Sequence, residues 1–167
     1  NLLMVMPGAP RTPGVRPSAG SMKSLKVSDY EAISKLDGVK AASPMTNGSY
    51  VVIYQNKNWT TSVSGVSYNY LDVNNWSMKS GRFLSEKNVQ NRERVAVVGK
   101  TVVKNLFGDE DPVGAEIRVK NIPFRIIGVL NSKGSGAMGN DQDDMVIIPY
   151  TTAMERVEGV DYLRMIY

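Results

Sequence analysis

Two short, strongly apolar segments constrain the fold of this chain more than any other feature. Ile122–Leu130 and Met145–Pro149 are rich in β-branched residues, which is typical of strands with at least one buried face. Pro123 is compatible with a strand only near its start or on an edge, and Gly128 indicates a bulge or a close backbone approach. Two buried strands joined by a long polar loop predict the middle of one sheet, which the flanking segments extend or cover.

Helical and strand patterns alternate along the rest of the chain. A Ser28–Glu31 capping box predicts a helix that runs through Leu36 and stops at Gly38. The other predicted helices are a short one after Ser67, a turn or short helix at Ser85–Val89, Lys100–Leu106, and one that starts at a Thr151 cap and ends near Val157. The other predicted strands are Leu2–Met6, Val39–Ser43, a hairpin of Tyr50–Tyr54 with Trp59–Val63 around a four-residue loop, Val95–Val98, and Ala115–Val119 in a hairpin with Ile122–Leu130. Pro7–Gly20, rich in Pro and Gly, is predicted as a connecting loop.

The last apolar segment, Tyr162–Tyr167, is also predicted as a strand. Strands this apolar do not stay exposed along both edges, so we expect it to need a partner that the chain does not supply. Together with the apolar start at Leu2–Met6, this indicates a piece of a longer protein.

Composition excludes several classes of function. No apolar run approaches the roughly 20 residues that a membrane-spanning helix needs. The net charge of +4 comes from scattered Lys and Arg without a basic stripe, which argues against a nucleic-acid surface. The chain contains no His and no Cys, so histidine bases, cysteine nucleophiles and the usual zinc ligands are absent. Neither a P-loop nor a G-x-S-x-G elbow occurs. The residues therefore predict a protein that is not an enzyme, with no catalytic residues, no cofactor and no metal.

The loop between the two buried strands holds the one cluster that looks like a site. Asp141, Asp143 and Asp144 could hold Ca²⁺ or Mg²⁺, but the spacing of an EF-hand is absent, and a solvated loop is the favoured alternative. Glycines upstream of the cluster fit G-x-G-x-x-G, but no helix pattern follows them and the acidic residues would repel phosphate. We expect residues 131–144 to be exposed and mobile, with all three carboxylates facing solvent as a candidate partner contact. Replacing all three Asp by Asn is then expected to leave folding nearly unchanged.

Nearly the whole chain carries a series of short motifs, each of which occurs once. They are Val5–Gly8, Leu25–Ile33 followed by Gly38-Val39, Ala42–Pro44, Val63–Val66, Gly81–Phe83, Val95–Gly99, Leu106–Gly108, Asp111–Gly114, Phe124–Val129, Asp141–Asp144 and Ile148-Pro149. Each motif is weak alone, but their order resembles the extracytoplasmic core domain of MacB-type ABC transporter permeases.

The resemblance implies a mixed α+β fold with two lobes. An α/β membrane-proximal lobe would comprise residues 1–66 and 161–167 and be incomplete at its C-terminal end. A β-rich lobe, residues 67–160, would be inserted into it. The domain would lie between the first two membrane helices of the permease, on the extracytoplasmic side of the cell membrane.

The resemblance also implies a function without chemistry in this domain. The domain would transmit conformational change and contact partners: the rest of its own permease chain, a second permease copy, an ABC nucleotide-binding domain in the full system, and a periplasmic adaptor protein. No nucleic acid is implied. The competing hypothesis is a stand-alone secreted binding protein.

Overall fold

The computed structural model describes residues 1–8, 13 and 23–167, and the fold is α+β. Most of the predicted loop Pro7–Gly20 lies outside the described residues. Within these ranges, no helix is both long and apolar enough to cross a membrane.

The structure consists of short helices around one eight-stranded sheet. The helices are α1 (Val27–Ser34), α2 (Tyr70–Asn74), α3 (Glu86–Gln90), α4 (Lys100–Leu106) and α5 (Tyr150–Thr152), which continues as a π-helix over Ala153–Glu158. The strands are β1 (Pro44–Tyr54), β2 (Lys57–Val66), β3 (Met78–Gly81), β4 (Val95–Val98), β5 (Glu116–Val119), β6 (Ile122–Leu130), β7 (Met145–Pro149) and β8 (Met165–Ile166).

Pairing between the strands closes the sheet into a ring. Its order is β2-β7-β4-β6-β5-β1, and β1 pairs with β2 again to complete the circuit. The β2–β7 and β4–β6 pairs are parallel, while β1–β2, β1–β5, β4–β7 and β5–β6 are antiparallel. Strand β3 joins β6 and strand β8 joins β1, both outside this circuit. β6 and β7, predicted as the middle of the sheet, are both members of the ring.

Apolar side chains pack on both sides of the central strands. One cluster includes Val98, Phe124 and Ile148, and a second includes Val97, Ile127 and Ile147. Neighbouring residues of β4 and β7 thus alternate between the two clusters, as successive side chains of a strand must. The unbroken apolar run of these strands reflects burial on both faces.

Local patterns account for most of these elements. α4, β4, β6 and β7 occur as predicted, and so does the β5–β6 hairpin. Its turn residues Lys120 and Asn121 have φ of 50° and 63°, the conformation that two-residue hairpin turns require. The β1–β2 hairpin is longer than predicted: Tyr54 already pairs with Lys57, so the four-residue loop is wrong and the turn comprises residues 55–56.

The ends of several helices differ from the sequence prediction. α1 begins at Val27, and the Asp29 carboxylate accepts from the Lys26 amide at 2.7 Å, so the Ser28–Glu31 capping box is wrong. The Thr151 cap is also wrong, because its hydroxyl donates to the Val89 carbonyl at 2.6 Å instead. Residues 39–43 are not a strand, and β1 starts only at Pro44. At Thr151 a tertiary contact replaces the local cap, whereas at α1 a different local capping contact forms, earlier in the chain than predicted.

The final strand has partners on both edges, contrary to the prediction. Ile166 exchanges two backbone hydrogen bonds with Val5, of 2.8 and 2.9 Å. On its other side, Tyr167 exchanges bonds of 2.9 and 3.0 Å with Ser43. The predicted first strand is reduced to this bridge at Val5. β8 is therefore an inner strand at this corner.

The division into lobes at residues 66/67 and 160/161 stays a prediction. The β1–β5 and β2–β7 pairs join residues from either side of the 66/67 boundary.

Candidate functional site

The loop of residues 131–144 is fixed at its base by contacts with the segment before β3. Trp76 Nε1 donates to the Asn131 carbonyl at 2.8 Å, and the Asn131 amide donates to the Ser77 carbonyl at 3.0 Å. The ammonium group of Lys133 lies 4.5 Å from the centroid of the Trp76 ring and donates to the Asn74 carbonyl at 3.1 Å. These contacts fix the direction in which the loop leaves β6.

The carboxylate of Asp143 lies at the centre of the loop base. Asp143 is only 4% exposed. Its oxygens accept from Ser132 Oγ at 2.6 Å and from the amides of Lys133 and Gly134 at 2.7 and 3.0 Å. Burial alone would raise the pKa of Asp143, but these three hydrogen bonds and the charge of Lys100 outweigh burial and hold the pKa below its ordinary value. The carboxylate is thus ionised. It accepts from loop amides that, in the described part of the chain, have no carbonyl of a neighbouring strand to bond.

The other two acidic residues connect the loop to neighbouring elements. Asp144 accepts from Trp59 Nε1 at 2.8 Å and from Thr61 Oγ1 at 2.7 Å, both on β2. Asp141 is exposed and accepts from Thr101 Oγ1 of α4 at 2.5 Å and from the Asp143 amide at 2.9 Å. The cluster therefore joins the loop to β2 and to α4.

The expectation that all three carboxylates face solvent is wrong for Asp143 and Asp144. Asp143 is buried and Asp144 is half-buried, because both satisfy donors that would otherwise be orphaned inside the protein. Only Asp141 is exposed. The predicted role in partner contact is a separate matter and stays a prediction. The segment Ser132-Lys133-Gly134 is a sequence signal for the burial of Asp143. Its hydroxyl and consecutive backbone amides can together donate to one carboxylate.

The tip of the loop is a small turn that presents one apolar side chain. Ser135 and Asp141 form an antiparallel bridge, and the Gly136 amide donates to the Asn140 carbonyl at 2.8 Å. Gly139 has φ of 78°, a conformation that side chains rarely adopt. Met138 is 95% exposed, and residues 135–140 carry no charge. The ordered base of the loop thus presents to solvent an uncharged tip, residues 135–140, with an exposed methionine.

The carboxylates do not converge on a cation site. Across residues 1–8, 13 and 23–167, no group of at least three acidic side chains is arranged to hold a metal ion. Within the loop the donors that surround Asp143 are a hydroxyl and two amides, which suit an anion and not a cation. The cluster is organised as a structural anchor.

A second polar cluster lies at the end of the π-helix. The Glu158 carboxylate accepts from the hydroxyl of Thr46, which is fully buried in β1. Burial raises the pKa of Glu158 and outweighs the Thr46 hydrogen bond and the charges of Arg164 and Lys120. Lys120 also donates to the Val157 carbonyl at 2.8 Å. These bonds connect the π-helix to β1 and to the β5–β6 turn.

Comparison with known proteins gives one consistent result along the whole chain. A sequence profile of the MacB-like periplasmic core domain matches residues 1–167. The macrolide export ATP-binding/permease protein MacB of Rhodospirillum rubrum is 44% identical over 165 residues, which cover 98% of this chain and 25% of that protein. The protein of the same name from Chlorobium luteolum is 38% identical over 168 residues, covering 100% and 25%. The chain thus spans about a quarter of the length of these curated relatives.

Solved structures agree with the fold. The periplasmic region of MacB from Actinobacillus actinomycetemcomitans superimposes with a TM-score of 0.80 and 28% identity, covering 89% of this chain and 66% of that one. The extracellular domain of the noncanonic ABC-type transporter YknZ from Gram-positive bacteria has a TM-score of 0.74 at 19% identity, covering 85% and 71%, which shows a shared fold alone.

Proposed function

The chain belongs to the MacB-like periplasmic core domain family, and we propose that it serves as the non-catalytic extracytoplasmic domain of an ABC export permease. In this role it would sit outside the membrane and pass conformational change between the membrane helices and partner proteins. We assign ATP hydrolysis to a nucleotide-binding domain elsewhere in the system, since this chain has no P-loop. The proposed partners are the rest of the permease, a second permease copy and a periplasmic adaptor protein.

The observation that carries the proposal is the unbroken match along the chain. The family profile covers every residue, and the curated relatives named above are both ATP-binding/permease proteins. The absence of His, Cys and nucleotide-binding motifs from the sequence supports a role without chemistry. The alternative of a stand-alone secreted binding protein has no comparable support among these relatives.

A domain exchange tests the proposal. In the R. rubrum protein, this chain would replace the region that it matches, and macrolide export would be measured in a drug-sensitive host. We expect the chimaera to export, because an equivalent domain should couple to the same membrane helices. We also expect the purified chain to show no saturable ATP binding by calorimetry.

The control for this exchange is the same transporter with the region deleted. If the chimaera inserts in the membrane and hydrolyses ATP but exports no better than the deletion variant, the proposed role is wrong. Saturable ATP binding by the isolated chain would also contradict it.

Within this role, we propose that the loop of residues 131–144 is a partner contact. Asp141 and the tip with Met138 face outward, whereas Asp143 and Asp144 would act by holding the loop in position. The backbone of an ordered turn loses less entropy on binding than that of a disordered loop, which favours such a contact.

A charge at the loop tip should therefore impair export without affecting the fold. In the chimaera, Met138→Asp is expected to weaken the partner contact by about fivefold or more, as for loss of an apolar anchor worth ~1 kcal/mol. The melting temperature of the isolated chain should not change, because the side chain is 95% exposed.

Export and photo-crosslinking from position 138 are the measurements. Leu36→Asp is the matched control, since Leu36 is also exposed (59%) but lies just after α1. Equal effects of the two variants, or no crosslink to another protein, would refute the loop contact.

A further inference from the structure

A shallow groove runs along β6 where its outer edge changes partner. β5 pairs with β6 up to Arg125, β3 pairs with it from Gly128 onward, and the groove opens at this break. Its volume is about 400 Å³. The lining residues are Gly81, Arg82, Val113, Gly114, Arg125 and the β6 pair Ile126–Ile127. The groove thus brings two arginines together beside the β6 backbone and the half-buried Val113.

The backbone beside the groove is already hydrogen-bonded. The Gly114 amide donates to the Ile126 carbonyl at 2.8 Å, and the Ile126 amide donates to the Ala115 carbonyl at 2.9 Å. The Arg82 amide donates to the Ile127 carbonyl at 2.9 Å. A ligand therefore cannot add a strand here, and recognition has to come from side chains.

A buried amide holds Arg82 in place. Asn88 is 4% exposed, and its Oδ1 accepts from Arg82 Nη1 at 3.1 Å and from the Ser85 amide at 2.9 Å. The Asn88 amide group donates to the Glu93 carboxylate, which fixes its orientation. A guanidinium has five N–H donors. Within the described part of the chain, the Asn88 bond is the only side-chain hydrogen bond of Arg82, so most of its donors stay available.

Arg125 supplies the second charge. It is exposed, and its side chain forms neither a hydrogen bond nor an ion pair within the described ranges. Glu116 lies directly opposite Arg125 in the β5–β6 pair, yet the two charged groups are not within ion-pair distance. Two guanidinium groups on one groove form a site that attracts carboxylates, which arginine binds through paired N–H donors.

We propose that this groove binds an acidic segment of a partner protein, with carboxylates on Arg82 and Arg125 and aliphatic carbon over the half-buried Val113. The groove is open to solvent, whereas small-molecule sites enclose most of their ligand. Charge complementarity and openness together favour a protein segment. Gly81 and Gly114, with φ of 68° and 92°, keep the rim of the groove low because they carry no side chain.

The test uses this chain and a labelled peptide, Ala-Glu-Ala-Glu-Ala-Glu amide, with binding followed by fluorescence anisotropy. We expect binding that weakens with added NaCl, and no binding of the matching Gln peptide. Arg82→Gln and Arg125→Gln should each weaken binding about tenfold or more, the usual effect of losing a charge-assisted hydrogen bond. Arg82→Lys should rescue only part of the loss, because an ammonium cannot form the paired bonds.

The matched control is Arg118→Gln, which makes the same charge change at an exposed arginine of β5 outside this groove. Its binding should equal that of the wild type. Arg125→Gln removes no side-chain hydrogen bond within the described part of the chain, so it stays informative if Arg82→Gln lowers the melting temperature. Absence of peptide binding, an equal loss in Arg118→Gln, or competition by succinate as effective as that by the peptide would each overturn the proposal.

Discussion

Replacing Asp143 by Asn should lower the free energy of unfolding by about 2–4 kcal/mol. The carboxylate accepts three hydrogen bonds from Ser132, Lys133 and Gly134 at a position that is 4% exposed. An amide has one acceptor oxygen, so its NH₂ group would face at least one buried N–H donor. The triple replacement by Asn, which the sequence alone predicts to be harmless, should therefore destabilise the protein through this one position.

Urea denaturation at neutral pH measures this effect. Asp109→Asn is the control, because Asp109 is exposed and forms no side-chain hydrogen bond within the residues that the structure describes. A loss of less than about 0.5 kcal/mol in Asp143→Asn, as for an ordinary surface position, would contradict the anchoring role.

The pH dependence of this difference has a defined sign. The pKa of Asp143 is held below its ordinary value in the folded protein, so its carboxylate contributes stability above the unfolded-state pKa. The difference between wild type and Asp143→Asn should be constant above about pH 5 and shrink as the pH falls below about 4, the ordinary range of an Asp carboxyl group. A difference that grows on acidification would show that the carboxylate is not the stabilising form.

Gly65→Ala should cost about 1–3 kcal/mol of stability, the usual penalty of overpacking. A Cβ atom at Gly65 would lie 2.6 Å from the Ala153 Cβ, 2.8 Å from the Tyr150 Cα and 2.9 Å from the Thr46 Cγ2. None of these atoms is at the end of a flexible side chain, so α5 and the π-helix would have to move off the sheet. At a strand position with open space for a Cβ, the same change would stabilise, because Gly loses more entropy on folding than Ala.

Gly48 provides the matched control for this experiment, since it lies in the same hairpin. There the three atoms nearest to a Cβ all belong to the Tyr50 side chain, at 2.7–3.0 Å, and that side chain can rotate away. Thermal unfolding of both variants should show a clear decrease in melting temperature for Gly65→Ala and a smaller change or none for Gly48→Ala. Equal decreases would mean that the close packing of α5 on β2 is not the reason why Gly65→Ala destabilises the protein.

Sequence reasoning predicted those elements whose signals are local. The apolar run of β4, the helix Lys100–Leu106 and the hairpin turn at Lys120–Asn121 each depend on residues within a few positions of one another. The closure of the ring was not predicted, because the parallel β2–β7 pair joins segments that lie far apart in the chain. Nothing in either segment specifies the other.

The loop shows the same limit at the level of single side chains. Its length and its glycines could be read from the sequence, and so could the acidic cluster. The burial of Asp143 could not, since it depends on amides at residues 133 and 134 that the chain brings back to the carboxylate. Asp144 likewise depends on Trp59 and Thr61, which belong to another strand. The local sequence around a buried carboxylate looks the same as that around a solvated one. The two can be distinguished only when the positions of the hydrogen-bond donors are known.

The closed ring also sets an order of events when the chain folds. The β1–β2 and β5–β6 hairpins join neighbouring residues and can form within microseconds. Closing the ring requires β1 to meet β5 at Val52 and Val119, and β2 to meet β7 at Ser62 and Met145. Both steps must close long segments of chain before any new contact forms, which makes them the slow ones. Until then β7 and the free edge of β2 carry unpaired backbone groups, so newly made chain is most exposed to aggregation at these two strands.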